Sequence, residues 1–124
     1  MKYLKALVLS LVLSVLFTQS KAQAVTLSKG IDHVKACVSA VKDAITANDG
    51  VTAQTKAKDL VTALNDVPLK YMTPAQSRVW SSTISQLQAD SKHISEVTDV
   101  ADQKAHLASL TANLQSTIES LKMK

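Results

Sequence analysis

The chain has 124 residues, 46% hydrophobic but only 3% aromatic, with a formal net charge of +4 and a single cysteine. That length suits one small domain, which must bury most of its aliphatic side chains to remain folded. One Cys cannot close an internal disulfide, so hydrophobic packing or a partner has to hold the fold.

The chain opens with the pattern of a cleavable export signal. Lys2 and Lys5 form a positive region, Ala6 to Phe17 an apolar run, and Ala22-Gln23-Ala24 a small-x-small processing site. Residues 1–24 are therefore expected to be removed after Ala24, leaving Val25 as the mature N-terminus and the protein in the periplasm or secreted. The apolar run is shorter than the roughly 20 residues a membrane span needs. Cys37 lies well beyond the processing site, which argues against a lipid anchor, so no membrane attachment is expected after cleavage. Losing Lys2, Lys5 and Lys21 leaves 11 basic against 10 acidic side chains, and Tyr3 and Phe17 depart with the signal. A nearly neutral domain whose aromatics are Tyr71 and Trp80 lacks the basic surface and stacking faces of a nucleic-acid binder.

Residues 25–124 carry four helical stripes. Ile31, Val34, Val38, Val41 and Ile45 recur at alternating spacings of three and four, predicting a first helix from about Ser28 to Ala47. Their β-branching favours strand, but the period is helical and packing of a stripe outweighs propensity. Asn48-Asp49-Gly50 then turns the chain. Ala53, Ala57, Leu60 and Leu64, with Val61 beside them, predict a second helix over roughly Val51 to Asn65, its small residues allowing close approach. Both prolines fall in the following segment, Val67 to Pro74, where Tyr71 and Met72 are the expected site of any exposed apolar patch. Thr73, Pro74 and Gln76 form a capping-box start for the third helix, whose core face carries Trp80, Ile84, Leu87 and Ile94, with Ser91 as its polar member. Thr98 or Asp99 caps the fourth, in which Val100, Leu107, Leu110, Leu114, Ile118 and Leu121 share a face. No strand pattern appears. The fold class is all-α, a single up-down-up-down four-helix bundle, because short connections force antiparallel neighbours.

Enzyme motifs are absent in kind: no Gly-rich phosphate loop, HExxH, GxSxG, CxxC or CxxCH. The plentiful Ser and Thr residues show no paired base, and Asp99 and Asp102 suit capping and the helix dipole better than acid-base work. A helix of 20 residues is about 30 Å long, so the histidines sort to opposite ends of the bundle. At one end antiparallel pairing about residue 98 sets Asp90 level with His106 and His93 level with Asp102. Asp90 and His93 also have the carboxylate-x-x-His spacing of metal-binding bundles. Two readings stand for this group: a solvated charge cluster, since His93 and His106 each neighbour a core residue and so turn about 100° toward water, or a Zn²⁺ or Cu²⁺ site. At the other end His33, Cys37, Met72 and Met123 offer imidazole, thiol and thioether suited to Cu(I), or equally a buried thiol and two packing methionines. Haem held by a Met and a His is excluded, because no such pair occupies core-stripe positions.

The stretch Gly30 to Leu121 carries Val41-Lys42-Asp43-Ala44-Ile45, an Asn48-Asp49 turn, an Ala-rich second helix and Asp99-x-x-x-Gln103-Lys104-x-His106-Leu107-x-x-Leu110. In these features it resembles an uncharacterised family of bacterial periplasmic helical domains, number 3347 among the domains of unknown function. Members of that family occur as small exported proteins and attached to periplasmic adaptors of heavy-metal efflux systems, so the resemblance implies a metal-linked role. Many also carry a later segment with a Cys-Pro-Met motif for a soft metal; Leu121-Lys122-Met123-Lys124 contains none, the pattern of a short form. The expectation is an exported, non-catalytic binding module for an envelope protein, with an accessory copper- or zinc-binding protein linked to efflux as the alternative.

Overall fold

The computed structural model describes residues 25–122. The expected signal segment lies outside them. The first helix, α1, covers 25–46 and is followed by α2 (Gly50–Asn65), a 3-10 turn (Leu69–Tyr71), α3 (Pro74–Glu96) and α4 (Val100–Leu121). No strand occurs among the described residues, and none of their helices is long and apolar enough to cross a membrane. The molecule is an all-α four-helix bundle.

Local chemistry sets each boundary. Helix α1 closes in a Schellman arrangement: the Asp49 N–H donates to the Ala44 carbonyl at 2.9 Å and the Asn48 N–H to that of Ile45 at 2.9 Å. Asn48 takes the left-handed residue of this motif, with φ of 58°. Asp49 immediately caps α2, accepting from the Thr52 N–H at 3.0 Å and the Thr52 hydroxyl at 2.6 Å. Those two bonds, the hydroxyl first, hold its carboxyl below the usual carboxylate range. The predicted start of α2 at Val51 moves to Gly50, and the reason for the glycine is space. A Cβ there would lie 1.9 Å from the Thr98 carbonyl oxygen, so the α1–α2 turn rests directly on the backbone of the α3–α4 turn.

Helix α3 starts with the predicted capping box, Thr73 Oγ1 accepting from the Gln76 N–H at 3.2 Å while Gln76 Oε1 accepts from the Thr73 N–H at 2.9 Å. The Gln76 amide also donates to the Leu121 carbonyl at 3.3 Å, tying the start of α3 to the end of α4. Asp99 rather than Thr98 caps α4.

All five residues of the α1 stripe are buried, joined by Leu27, Cys37 and Ala44. Across from them lie Ala53, Ala57, Leu60 and Leu64 of α2, Trp80, Leu87 and Ile94 of α3, and Leu107, Leu110, Leu114 and Leu121 of α4. Each fully buried Leu or Ile contributes on the order of 2 kcal/mol. Buried hydroxyls are met by their own helices: Ser91 bonds the Leu87 carbonyl at 2.7 Å and Thr117 that of Asn113 at 2.6 Å. Around Tyr71 and Met72, the expected site of an exposed apolar patch, the exposed apolar residue is Leu69 of the same turn. Tyr71 and Met72 are themselves half-buried against the core.

Gln103 occupies the gap between Val100 and Leu107 in the α4 stripe and is fully buried. Its amide donates to the carbonyls of Gly50 at 2.9 Å and Val97 at 2.8 Å. This one side chain thus joins the two turns that share an end of the bundle.

Candidate metal centre

Helix α3 ends where Val97 adopts extended backbone, and only Val97, Thr98 and Asp99 separate it from α4. So tight a connection makes the two helices antiparallel neighbours and pairs residues at about equal distance from residue 98, to within one position. On α3, Asp90 and His93 stand one turn apart; on α4, so do Asp102 and His106. The register brings them together. His93 Nε2 lies 2.9 Å from Asp102 Oδ2, and His106 Nδ1 lies 3.0 Å from Asp90 Oδ1. His106 Nε2 reaches to 3.7 Å from Asp102 Oδ1. The two imidazoles stack with centroids 3.9 Å apart and planes inclined by 29°. One donor atom each from His93, Asp102 and His106 falls within a common 4.8 Å.

The four residues are not equivalent. The side chains of His93, Asp102 and His106 are 38%, 39% and 33% exposed, whereas that of Asp90 is only 4% exposed. The expectation of a solvated cluster therefore fails for Asp90. It flanks the Leu87–Ser91–Ile94 row on the side facing α4, where His106 and Ser109 cover it. Its second oxygen accepts from the Ser109 hydroxyl at 2.9 Å and the Gln86 amide at 3.2 Å. Asn113 in turn donates to Ser109 Oγ at 3.3 Å. Burial pushes the Asp90 carboxyl up, but the bonds from His106, Ser109 and Gln86, with the electrostatic pull of the His106 ring, outweigh it and hold the group below the usual carboxylate range.

This arrangement narrows the chemistry. Asp90 and His106 form the carboxylate–imidazole pair found in hydrolases, but Ser109 donates to the carboxylate, and His106 Nε2 faces Asp102 and His93 rather than a hydroxyl. Nucleophilic catalysis needs the hydroxyl on that nitrogen. A buried carboxylate behind one ring nitrogen, with the other turned toward two more ligands, is instead the pattern that supports a metal-bound histidine. Ligand atoms about 2.0 Å from a tetrahedral zinc lie roughly 3.3 Å apart. The histidine nitrogens lie 2.9 and 3.7 Å from different oxygens of Asp102, and single donor atoms of the three residues lie within 4.8 Å of one another. Closing on an ion requires the stacked rings to swing apart so that both Nε2 lone pairs converge.

The opposite end assembles less. His33 is exposed and Cys37 buried on the same helix, with Cys37 Sγ 3.9 Å from His33 Nε2. Burial, and then the nearby Asp59 carboxylate, push the Cys37 thiol up, away from the reactive thiolate. Met72 packs against the core, and Met123 lies outside the described residues.

Sequence spacing finds His93, Asp102, His106 and Asp90, but not the supports of Asp90. Ser109, one turn beyond His106, and Gln86, one turn before Asp90, carry that signal only once Asp90 is known to be buried.

No curated protein and no solved structure matches the chain. A family model described as "Protein of unknown function (DUF3347)" matches residues 39–124, which include α2, α3, α4 and the whole His–Asp cluster. With that match over most of its length, the chain belongs to the DUF3347 family.

Proposed function

We propose that this protein is a non-catalytic binding module of the cell envelope whose ligand is a borderline divalent cation, Zn²⁺ or Cu²⁺, held by His93, Asp102 and His106. The observation that carries this is the gathering of their three donor atoms within 4.8 Å on a hairpin fixed by a three-residue turn. Two imidazoles and a carboxylate suit a borderline ion rather than Cu(I), which prefers sulfur. On that grouping the accessory-metal reading moves ahead of the protein-interaction reading. Export rests on the pattern of residues 1–24, and the absence of catalysis on the lack of enzyme motifs in the sequence.

Calorimetric titration of the purified protein with Zn²⁺ and with Cu²⁺ tests the assignment. One ion per chain with a dissociation constant on the order of micromolar is expected, lost on combining His93→Ala with His106→Ala. Binding no tighter than about 1 mM, or binding indifferent to both substitutions, overturns it. The protein-interaction module would then be the reading to pursue, by affinity capture from the periplasm.

A further inference from the structure

The two histidines of the cluster reach it in different states of readiness. His106 makes its 3.0 Å bond through Nδ1 to Asp90, a carboxylate already accepting from Ser109 and Gln86. An ionised carboxylate only accepts, so the proton of this bond belongs to His106 Nδ1, and in the neutral ring Nε2 is left with a free lone pair. That nitrogen faces Asp102 at 3.7 Å, on the side where His93 lies. His93 is set the other way. Its Nε2 is the atom 2.9 Å from Asp102, so there the proton sits on the nitrogen that would have to bind the ion.

We infer that Asp90 is a positioning residue that fixes His106 as the pre-formed ligand, so that a metal ion is taken first by His106 and Asp102 and only then by His93. His93 must first break its Nε2 bond to Asp102 before that nitrogen can face the ion. Asp102 is released by the same step to turn toward the ion. The loading order rests on the metal-binding reading above; the His106 tautomer does not, because the bond to Asp90 exists without a metal.

The test separates the two. In the metal-free protein near neutral pH, ¹⁵N–¹H correlation spectra of the imidazoles are expected to show His106 protonated at Nδ1 and bare at Nε2, and His93 protonated at Nε2. Asp90→Asn keeps the shape but removes the charge, and should convert His106 to a mixture of tautomers and weaken Zn²⁺ binding about 10- to 100-fold. His106→Ala should weaken Zn²⁺ binding more than His93→Ala does. Finding the metal-free His106 as the Nε2–H tautomer overturns the inference without any variant, as does Asp90→Asn binding Zn²⁺ like the parent. A protein that shows the expected tautomers but binds no Zn²⁺ upholds the role of Asp90 and sinks the loading order with the metal-binding reading.

Discussion

The two ends of the bundle each offer a histidine with a second ligand type one turn along the same helix, yet among the described residues only one end gathers such side chains from two helices. His33 and Cys37 share α1, and four residues of separation leave one exposed and the other buried. Asp102 and His106 have the same spacing on α4, but α3 supplies His93 and Asp90 at matching heights. Spacing along one helix is cheap to satisfy by chance. Convergence needs a second helix held in register, and here the short Val97–Asp99 connection provides it.

The sharpest way to break this contrast is to disturb the end that carries the cluster. Gly50→Ala would drive a Cβ into the Thr98 carbonyl, a backbone atom that cannot step aside, and should cost about 3 kcal/mol in urea unfolding. Gly30→Ala at the other end meets Pro68 Cδ at 2.8 Å, a ring atom tied to the backbone, so despite about 1 kcal/mol of gained helix propensity it should also destabilise, by less than Gly50→Ala does. Equal losses for the two variants would show that the ends are not differently built. Next in size, combining His93→Ala with His106→Ala should reduce Zn²⁺ affinity at least about 100-fold, or roughly 2.7 kcal/mol. Gln103→Leu removes the donor shared by the Gly50 and Val97 carbonyls and should cost about 1 to 2 kcal/mol, seen as a lowered melting temperature.

Acid offers a gentler probe. The Asp90 carboxyl is depressed in the folded protein, so its contribution is present above the ordinary carboxylate value of about 4 and is lost as pH falls through the lower folded value. Melting temperature should therefore drop below about pH 4, and Asp90→Asn should flatten part of that drop; identical acid profiles would remove Asp90 from the account. The smallest effect belongs to the other end. Cys37→Ala should leave zinc and copper affinity unchanged, and a loss of binding there would return the soft-metal reading to His33 and Cys37.

Most of the scaffold is legible in the residue order. The α1 stripe, the Thr73–Gln76 capping box and the pairing about residue 98 are local or periodic signals, and each appears where its spacing places it. What escaped depends on contacts between distant segments. Gly50 reads as a turn residue, but Asn48 carries the positive φ and Gly50 is needed because Thr98 lies against it. Gln103 reads as a break in an apolar stripe, and its burial makes sense only once two turns meet around its amide. Asp90 reads as a surface acid because nothing in its neighbours reveals that Ser109 and His106 cover it.

The contact of Gly50 with Thr98 also sets the taper of the bundle. Along α2 the inward residues grow from Gly50 through Ala53 and Ala57 to Leu60 and Leu64, a wedge whose thin edge is backbone against backbone. At the thin edge the separation of the two hairpins is set by the Gly50–Thr98 backbone contact together with the buried Gln103 amide that bonds the Gly50 carbonyl. The His–Asp cluster lies near this edge, on the two helices that the Val97–Asp99 connection joins.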